Sequence, residues 1–317
     1  MPSADSANAQ DAAQEGLLPW QAALVGVGAG VLYGLFGFFL LRLSESPRMG
    51  EALFLLLPLF VGATIAMVTP RPFAAVGLLS ATISLLLCLT TLIAMRAEGL
   101  LCAIIAFPLV FGSLAIGIGV GLLLSALIRP AGNFTTNCII FLAAPVLVFG
   151  GHRLEMKTFT QARTESVTTT IHLPATPQEV WADIQSLDKL AGRKPLLMYL
   201  GLPVPLRCEL KGTSVGSKRI CYFDQGSIEE TVLEWDPPRR MRLAIDRTNM
   251  PGRHWLEFNG AEYDLHGDGM GTTITRVTTI RSNLRPAWYW ARFEVWGVAS
   301  EHEYLFRDLA QRFSERK

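Results

Sequence analysis

Charged residues are scarce in this sequence, and most of them lie in its second half. Asp, Glu, Lys and Arg make up 17% of the 317 residues, whereas an average soluble domain has about 25%. Residues 1–150 contain five of the 28 basic residues and six of the 27 acidic ones. Two regions that face different solvents explain this division better than a single globule does.

The sequence also lacks the charge and the cysteine spacing of several functional classes. Its formal net charge is +1 and its second half has no sustained basic stripe, which argues against a nucleic-acid partner. The five cysteines show no CxxC spacing, so neither a structural zinc site nor a disulfide framework is predicted. Cys208 and Cys221 alternate with apolar residues, which favours buried packing over a role as nucleophiles. We expect no metal and no cofactor.

Long apolar stretches without charged residues fill the first half. A bilayer core about 30 Å thick is crossed by about 20 apolar residues of helix. We predict a disordered tail over residues 1–16 and a transmembrane region over 17–151, with five spans at 17–41, 52–69, 73–95, 99–128 and 134–151. The fifth span is borderline, because its strongly apolar part begins at Cys138. Ionisable residues within spans usually mark proton or substrate pathways, so their absence here favours an anchor or scaffold over an ion-coupled transporter.

The arginines of the connecting loops predict the orientation. With five spans and the N-terminus outside, Arg42, Arg48, Arg96 and the basic stretch 153–163 lie inside, and two arginines remain outside. Cytoplasmic loops carry an excess of Lys and Arg, so this arrangement places the second half in the cytoplasm. Four spans would instead export it. The preference for Arg over Lys, with many Ala and Gly residues, is typical of bacteria with GC-rich DNA, and we expect an inner-membrane protein.

Glycines recur at helix-packing spacing in two predicted spans. Gly26, Gly30 and Gly34 form two overlapping GxxxG steps, and Gly117 with Gly121 forms a third. Small residues four apart let helix backbones approach closely in lipid. Packing within the chain is the favoured interpretation, and a homo-oligomer seam is the alternative.

The second half follows a linker at 152–164 and has the pattern of an α+β domain over 165–317. Val167 to Leu173 alternates as a strand does, and Thr176 with Glu179 forms a capping box that starts a helix. Six further strands are predicted, at 208–211, 217–223, 227–235, 241–247, 255–266 and 272–282, before a long final helix at 286–316. This order predicts a curved antiparallel sheet around a long C-terminal helix.

Two motifs resemble a known superfamily. The stretch Ile171–Trp181 resembles the opening of SRPBCC domains, which include START domains and polyketide cyclase/dehydrases, and the turn at Asp236-Pro237-Pro238 is similar to their strand–DPP–strand corner. The resemblance covers about 165–317; the first half has no family that we can name. It implies a helix-grip fold with a deep apolar cavity that binds lipids, sterols, polyketides or other hydrophobic molecules. The superfamily has no shared catalytic motif to carry over, although some members are enzymes.

Large apolar or amphipathic residues on the elements that face such a cavity are the predicted ligand-binding set. Apolar walls with a few polar groups are typical of small-molecule sites. The candidates are Tyr222, Met241, Leu243, Trp255, Phe258, Tyr263, Val295, Trp296 and Ala299.

An aromatic cluster opens the last helix. Trp288, Tyr289 and Trp290 lie between Arg285 and Arg292. Packing of these rings between the start of the helix and the sheet is the favoured interpretation. Aromatic rings with flanking cations are also typical of membrane interfaces, so a cavity mouth or a membrane-touching lip is the alternative.

No catalytic residue can be assigned from the sequence. The histidines show neither HxxxH nor HExxH spacing, and Glu229, Glu230 and Glu234 fit a solvated strand face better than a cavity. We therefore favour a membrane-anchored module that binds a hydrophobic small molecule or lipid. The alternatives are a cyclase- or hydrolase-like enzyme that uses the same cavity, and a membrane scaffold that assembles through its GxxxG faces.

Overall fold

A computed structural model describes residues 19–42, 50–68, 74–95, 97–128, 134–158, 162–185, 187, 190, 192–250 and 256–315. The chain divides into two compact units, and each is described by itself. The predicted N-terminal tail lies outside the described residues.

Up to Thr158 the described chain is helical. Its elements are α1 (Pro19–Arg42), a π-helical turn (Ala52–Leu56) that continues into α2 (Leu57–Val68), α3 (Ala74–Ala94), α4 (Leu100–Ile128) and α5 (Phe134–Thr158). Three helical segments are long and apolar enough to cross a bilayer, at Ala23–Leu40, Ala75–Ala94 and Leu100–Leu127, and Ala52–Met67 is a shorter apolar helix. The predicted fifth span lies within α5, and its crossing of a membrane stays a prediction.

Small polar residues join α1 to α3. Ser80 Oγ donates a hydrogen bond to the carbonyl oxygen of Ala23 (3.3 Å), and Ser84 Oγ donates to that of Val27 (3.2 Å). A Cβ atom on Gly30 would lie 2.5 Å from Ser84 Oγ. The glycine therefore provides the close approach that these short hydrogen-bonding side chains need.

The second glycine motif packs α4 against α2. A Cβ atom on Gly117 would collide with the carbonyl oxygen of Leu59, and one on Gly121 would lie 2.5 Å from that of Ala63. In the first motif, a Cβ atom on Gly34 would lie 3.1 Å from Cys88 Sγ, and Gly26 is buried. Both glycine faces are thus occupied by helices of the same chain.

The second unit is a seven-stranded antiparallel sheet with a long helix. Its elements are β1 (Arg163–Leu173), α6 (Pro177–Gln185), α7 (Leu196–Tyr199), β2 (Pro205–Lys211), β3 (Lys218–Phe223), β4 (Gly226–Asp236), β5 (Arg240–Thr248), β6 (Leu256–Gly267), β7 (Thr272–Ser282) and α8 (Ala287–Glu315). The strand order is β1-β7-β6-β5-β4-β3-β2. This arrangement confirms the α+β helix-grip fold that the sequence predicts.

The start of α6 shows how local sequence determines this fold. The Thr176 N–H donates to Glu179 Oε2 (2.8 Å), and the Glu179 N–H donates to Thr176 Oγ1 (3.4 Å). This is the predicted capping box. Val180 and Ile184 on the inner face of α6 are fully buried in a core that also contains Tyr304, Leu305 and Leu309 of α8.

Candidate functional site

A cavity of about 150 Å³ lies in the second unit, and residues of β2 to β7 and of α8 are among those that line it. Its lining is mostly apolar. The apolar members include Phe223, Ile228, Ile245, Leu256, Phe258, Ala261, Tyr263, Leu284, Trp290, Phe293, Val298 and Leu305. Apolar walls of this kind exclude water and favour a hydrophobic occupant.

A bulge in β6 brings two of the predicted residues to the same wall. The register of β6 with β7 shifts between Phe258 and Gly260. Phe258 precedes the shift and Tyr263 follows it. In a regular strand an even-numbered and an odd-numbered residue would face opposite sides, but because of the shift both of these side chains line the cavity. A Cβ atom on Gly260 would lie 2.6 Å from the carbonyl oxygen of Leu243, so glycine is needed where the bulge brings the strands together.

The helical face of α8 that lines the cavity differs from the predicted one. Trp290, Glu294, Val298, Glu301 and Leu305 recur at helical spacing and line the cavity. The predicted residues Val295 and Trp296 are instead 38% and 45% exposed, and Ala299 is half-buried. Glu294 and Glu301 lie on this inner face, where Glu294 pairs with Arg163 and Glu301 with Arg276.

The other predicted cavity residues lie in several environments. Met241 and Leu243 are fully buried in the core and are not among the lining residues. Tyr222 is half-buried on the opposite side of β3, with the Arg207 guanidinium 4.6 Å from its ring centroid. The reason is that Arg219 and Cys221 occupy the inward positions of β3. Trp255 lies outside the described residues.

Two buried arginines form the polar part of the cavity wall. Arg219 Nη1 lies 3.2 Å from Glu230 Oε2, and Arg276 donates to both carboxylate oxygens of Glu301, at 3.1 and 3.0 Å. The two guanidinium carbons lie 5.8 and 5.4 Å from the ring centroid of Tyr263. All five residues line the cavity, so an apolar pocket contains a compact charged cluster.

Burial controls the protonation of this cluster. Desolvation raises the pKa of Glu230, although the positive charges of Arg219 and Arg276 oppose that shift. Desolvation also raises the pKa of Glu294, which accepts hydrogen bonds from Ser282 Oγ and from Arg163. A carboxyl group that is removed from water favours its neutral form.

His302 lies behind the cavity wall as a neutral hydrogen-bonding group. It is fully buried, with Nε2 2.7 Å from Thr278 Oγ1 and Nδ1 3.0 Å from Thr169 Oγ1. Burial, together with the charge of Arg276, lowers the pKa of His302 to about 2. The side chain therefore ties α8 to β1 and β7 without carrying a charge near pH 7.

Cys208 and Cys221, expected to be separate buried residues, form a disulfide. They are cross-strand partners in β2 and β3, and both line the cavity. Alternation within each strand predicts that both cysteines are buried, but it does not predict how β2 aligns with β3. The pairing appears only when the two strands are aligned.

The aromatic cluster at the start of α8 divides between two surfaces. Trp288 is 68% exposed, whereas Trp290 is 4% exposed and lines the cavity. Arg292 is exposed, and Tyr289 and Arg285 are partly exposed. Trp288, Arg292, Val295 and Trp296 share one exposed face of α8, which we call the outer face.

The charged cluster could have been found partly from strand parity. In β7, Ile274, Arg276, Thr278 and Ile280 share the buried face, so the two isoleucines indicate that Arg276 points inward. No comparable pattern identifies Arg219, because its buried neighbour on β3 is a cysteine. Glu230 follows a register shift in β4. Alternation therefore cannot predict which side of the sheet its side chain lies on.

Residues 164–314 match the family described as polyketide cyclase / dehydrase and lipid transport. A comparison with curated proteins finds no match.

Several solved structures resemble about half of this chain. A protein from Nitrosospira multiformis is 16% identical, over 48% of this chain and 100% of that chain, with a TM-score of 0.34. A START superfamily protein from Mycobacterium smegmatis is 11% identical, over 48% and 99%, with a TM-score of 0.36. The Aha1 dimer from Colwellia psychrerythraea is 16% identical, over 46% and 96%, with a TM-score of 0.30.

Proposed function

We propose that the SRPBCC domain of this chain, residues 164–314, binds a hydrophobic small molecule or a lipid, and that the N-terminal helices hold it at a membrane. The observation that carries this proposal is the apolar cavity between the sheet and α8. The family match supports the helix-grip fold, but fold alone does not determine function. The proposal that the ligand is hydrophobic depends on the apolar lining of the cavity. Mass spectrometry of a solvent extract of the purified full chain tests the proposal: a stoichiometric hydrophobic molecule supports it, and an empty domain contradicts it.

The membrane half of the proposal depends on the three long apolar helices. Each has the length that a bilayer core requires. We propose an inner-membrane location with the N-terminus outside and the domain in the cytoplasm, since this orientation places most loop arginines inside. The Cys208–Cys221 disulfide is the observation that opposes it, because structural disulfides persist on the oxidising side of a membrane. The redox state of the pair in cells therefore decides the orientation.

The outer face of α8 is the proposed membrane-touching surface. It presents the indole rings of Trp288 and Trp296 to solvent, 68% and 45% exposed, beside Arg292. Indoles with adjacent cations bind the interfacial region of a bilayer. In nanodiscs that contain brominated lipids, Trp288→Phe/Trp296→Phe should remove part of the quenchable fluorescence, whereas Trp235→Phe should not. Equal quenching of the wild-type chain and both variants would contradict contact between the outer face and the bilayer.

A second candidate function is enzymatic, and Glu230 is the observation that favours it. A buried carboxyl group in a cavity, with a raised pKa and a nearby cation, is suited to general acid/base chemistry. If the cavity is catalytic, the extracted ligand should change chemically when incubated with the wild-type chain and not with Glu230→Gln. If neither protein changes the ligand, the enzymatic function is contradicted and only the binding function remains.

A further inference from the structure

Both buried arginines of the cavity wall keep a hydrogen-bond donor without an acceptor. Arg219 is 1% exposed and Arg276 is 9% exposed. Among the described residues, neither Nε–H finds an acceptor. A buried donor that makes no hydrogen bond is costly, and two such donors in one cavity indicate that an occupant supplies the acceptors.

The charged residues that line the cavity are two arginines and three glutamates. Glu294 is paired with Arg163, and Glu301 with Arg276. Arg219 has one carboxylate partner, Glu230, whose burial favours the neutral form. Burial thus weakens the counter-charge at Arg219, and an anionic head group that binds there would add to it.

We propose that the cavity selects amphiphiles with a single acidic head group, a carboxylate or a phosphate, which binds at Arg219 and Arg276, whose guanidinium carbons lie 5.8 and 5.4 Å from the ring centroid of Tyr263. Guanidinium groups present planar arrays of N–H donors that match the oxygens of these anions. The inference rests on the proposed binding function and names the chemical class of its ligand.

The cavity has room for a head group and a short part of a chain. An engineered apolar cavity of about 150 Å³ holds benzene, and this cavity has a similar volume. Most small-molecule sites are larger, at about 300–1,000 Å³. A cavity of this volume suits a head group and the first part of a chain.

Two probes with the same chain and different head groups test the inference. The full chain, reconstituted in phosphatidylcholine nanodiscs at pH 8, is titrated with radiolabelled decanoate and with 1-decanol, and binding to empty nanodiscs is subtracted. The wild-type chain should bind decanoate about tenfold or more tightly than decanol, because charge-assisted hydrogen bonds are about twice as strong as neutral ones. A sodium decyl phosphate titration distinguishes a phosphate preference from a carboxylate preference.

A paired substitution assigns the preference to the cluster. Arg219→Met/Glu230→Met removes both charges together, which is often tolerated when the new side chains pack, and it should reduce the preference for decanoate over decanol to less than about threefold. Arg239→Met, on an exposed ion pair, is the matched control and should keep the wild-type preference.

The outcomes separate the two levels of the proposal. Equal binding of decanol and the anions would overturn the acidic head group and leave the binding function in place. A preference that survives Arg219→Met/Glu230→Met would overturn its assignment to Arg219. Binding of none of the probes would overturn the proposed function as well. The wild-type comparison decides the selectivity even if the double variant does not fold.

Discussion

Arg219 and Glu230 are cross-strand partners in β3 and β4, and their side chains form an ion pair that is 2% and 7% exposed. A charged pair is thus placed where the sheet would otherwise present apolar residues to the cavity. Removing both charges and removing one of them should have different consequences, because one remaining charge has no solvent to stabilise it.

The first prediction concerns this pair. Arg219→Met should lower the free energy of unfolding by about 3–5 kcal/mol, because it leaves Glu230 buried without its partner. Arg219→Met/Glu230→Met should recover most of that loss. Urea unfolding of the full chain in detergent measures both. Arg239→Met, whose pair with Asp236 is exposed, should change stability by no more than about 0.5 kcal/mol. A single variant as stable as this control would contradict the burial argument.

The second prediction concerns acid stability through His302. Its folded-state pKa, about 2, lies below the unfolded value of about 6.5. The unfolded chain therefore binds a proton first as the pH falls, and stability is lost below about pH 6.5. Between pH 7 and pH 5 the loss from this group should be about 2 kcal/mol.

His302→Gln should remove this pH dependence, and urea unfolding at the two pH values measures it. His172 is exposed on β1, so His172→Gln is the matched control and should keep the wild-type loss. An equal loss in the His302→Gln variant would contradict the assignment.

The third prediction separates two glycines on α4. Gly117→Leu should lower the melting temperature of the full chain by about 5 °C or more, because the new side chain collides with the backbone at Leu59. Gly119→Leu should leave it unchanged, since nothing lies within 4 Å of a Cβ atom there. Thermal unfolding in detergent compares the two variants. If both melt alike, α4 does not pack as described.

The fourth prediction concerns the side of the membrane on which the domain lies. In a reducing cytoplasm, Cys208 and Cys221 should be free thiols. Acid-quenched cells are denatured and treated with a polyethylene-glycol maleimide, and the Cys208→Ser/Cys221→Ser variant is the control. The wild-type chain should take up two more maleimide groups than this control. Equal numbers would show that the disulfide persists in cells and would place the domain on the oxidising side.

The sequence predicts the elements of the second unit well, because its signals there are local. The capping box of Thr176 and Glu179 and the turn at Asp236 each mark a boundary within a few residues. β7 is predicted with the bounds that the structure has, Thr272–Ser282. The spans are also predicted from local sequence, because a run of apolar residues can be recognised without knowing what it packs against.

The site is less predictable from the sequence, because its key residues do not follow the alternation and periodicity by which strands and helices are recognised. Arg219 and Glu230 are charged and buried, which alternation assigns to the outside. The register shift at Gly260 and the alignment of Cys208 with Cys221 depend on contacts between strands. On α8, the apolar residues Val295 and Trp296 suggested the inner face, but the ion pairs of Glu294 and Glu301 place those glutamates there instead.

Two valine positions on α8 allow the most direct test of the central claim, that the cavity holds a hydrophobic ligand. Val298 is buried and lines the cavity, whereas Val295 is 38% exposed. Val298→Trp should fill the cavity, and Val295→Trp should leave it open. The wild-type chain and both variants are purified identically, extracted with solvent and analysed by mass spectrometry. The account predicts one hydrophobic species that is stoichiometric with the wild-type and Val295→Trp chains and depleted from Val298→Trp. Identical extracts from all three proteins would show that the associated molecules are bilayer lipids and would contradict a ligand in the cavity.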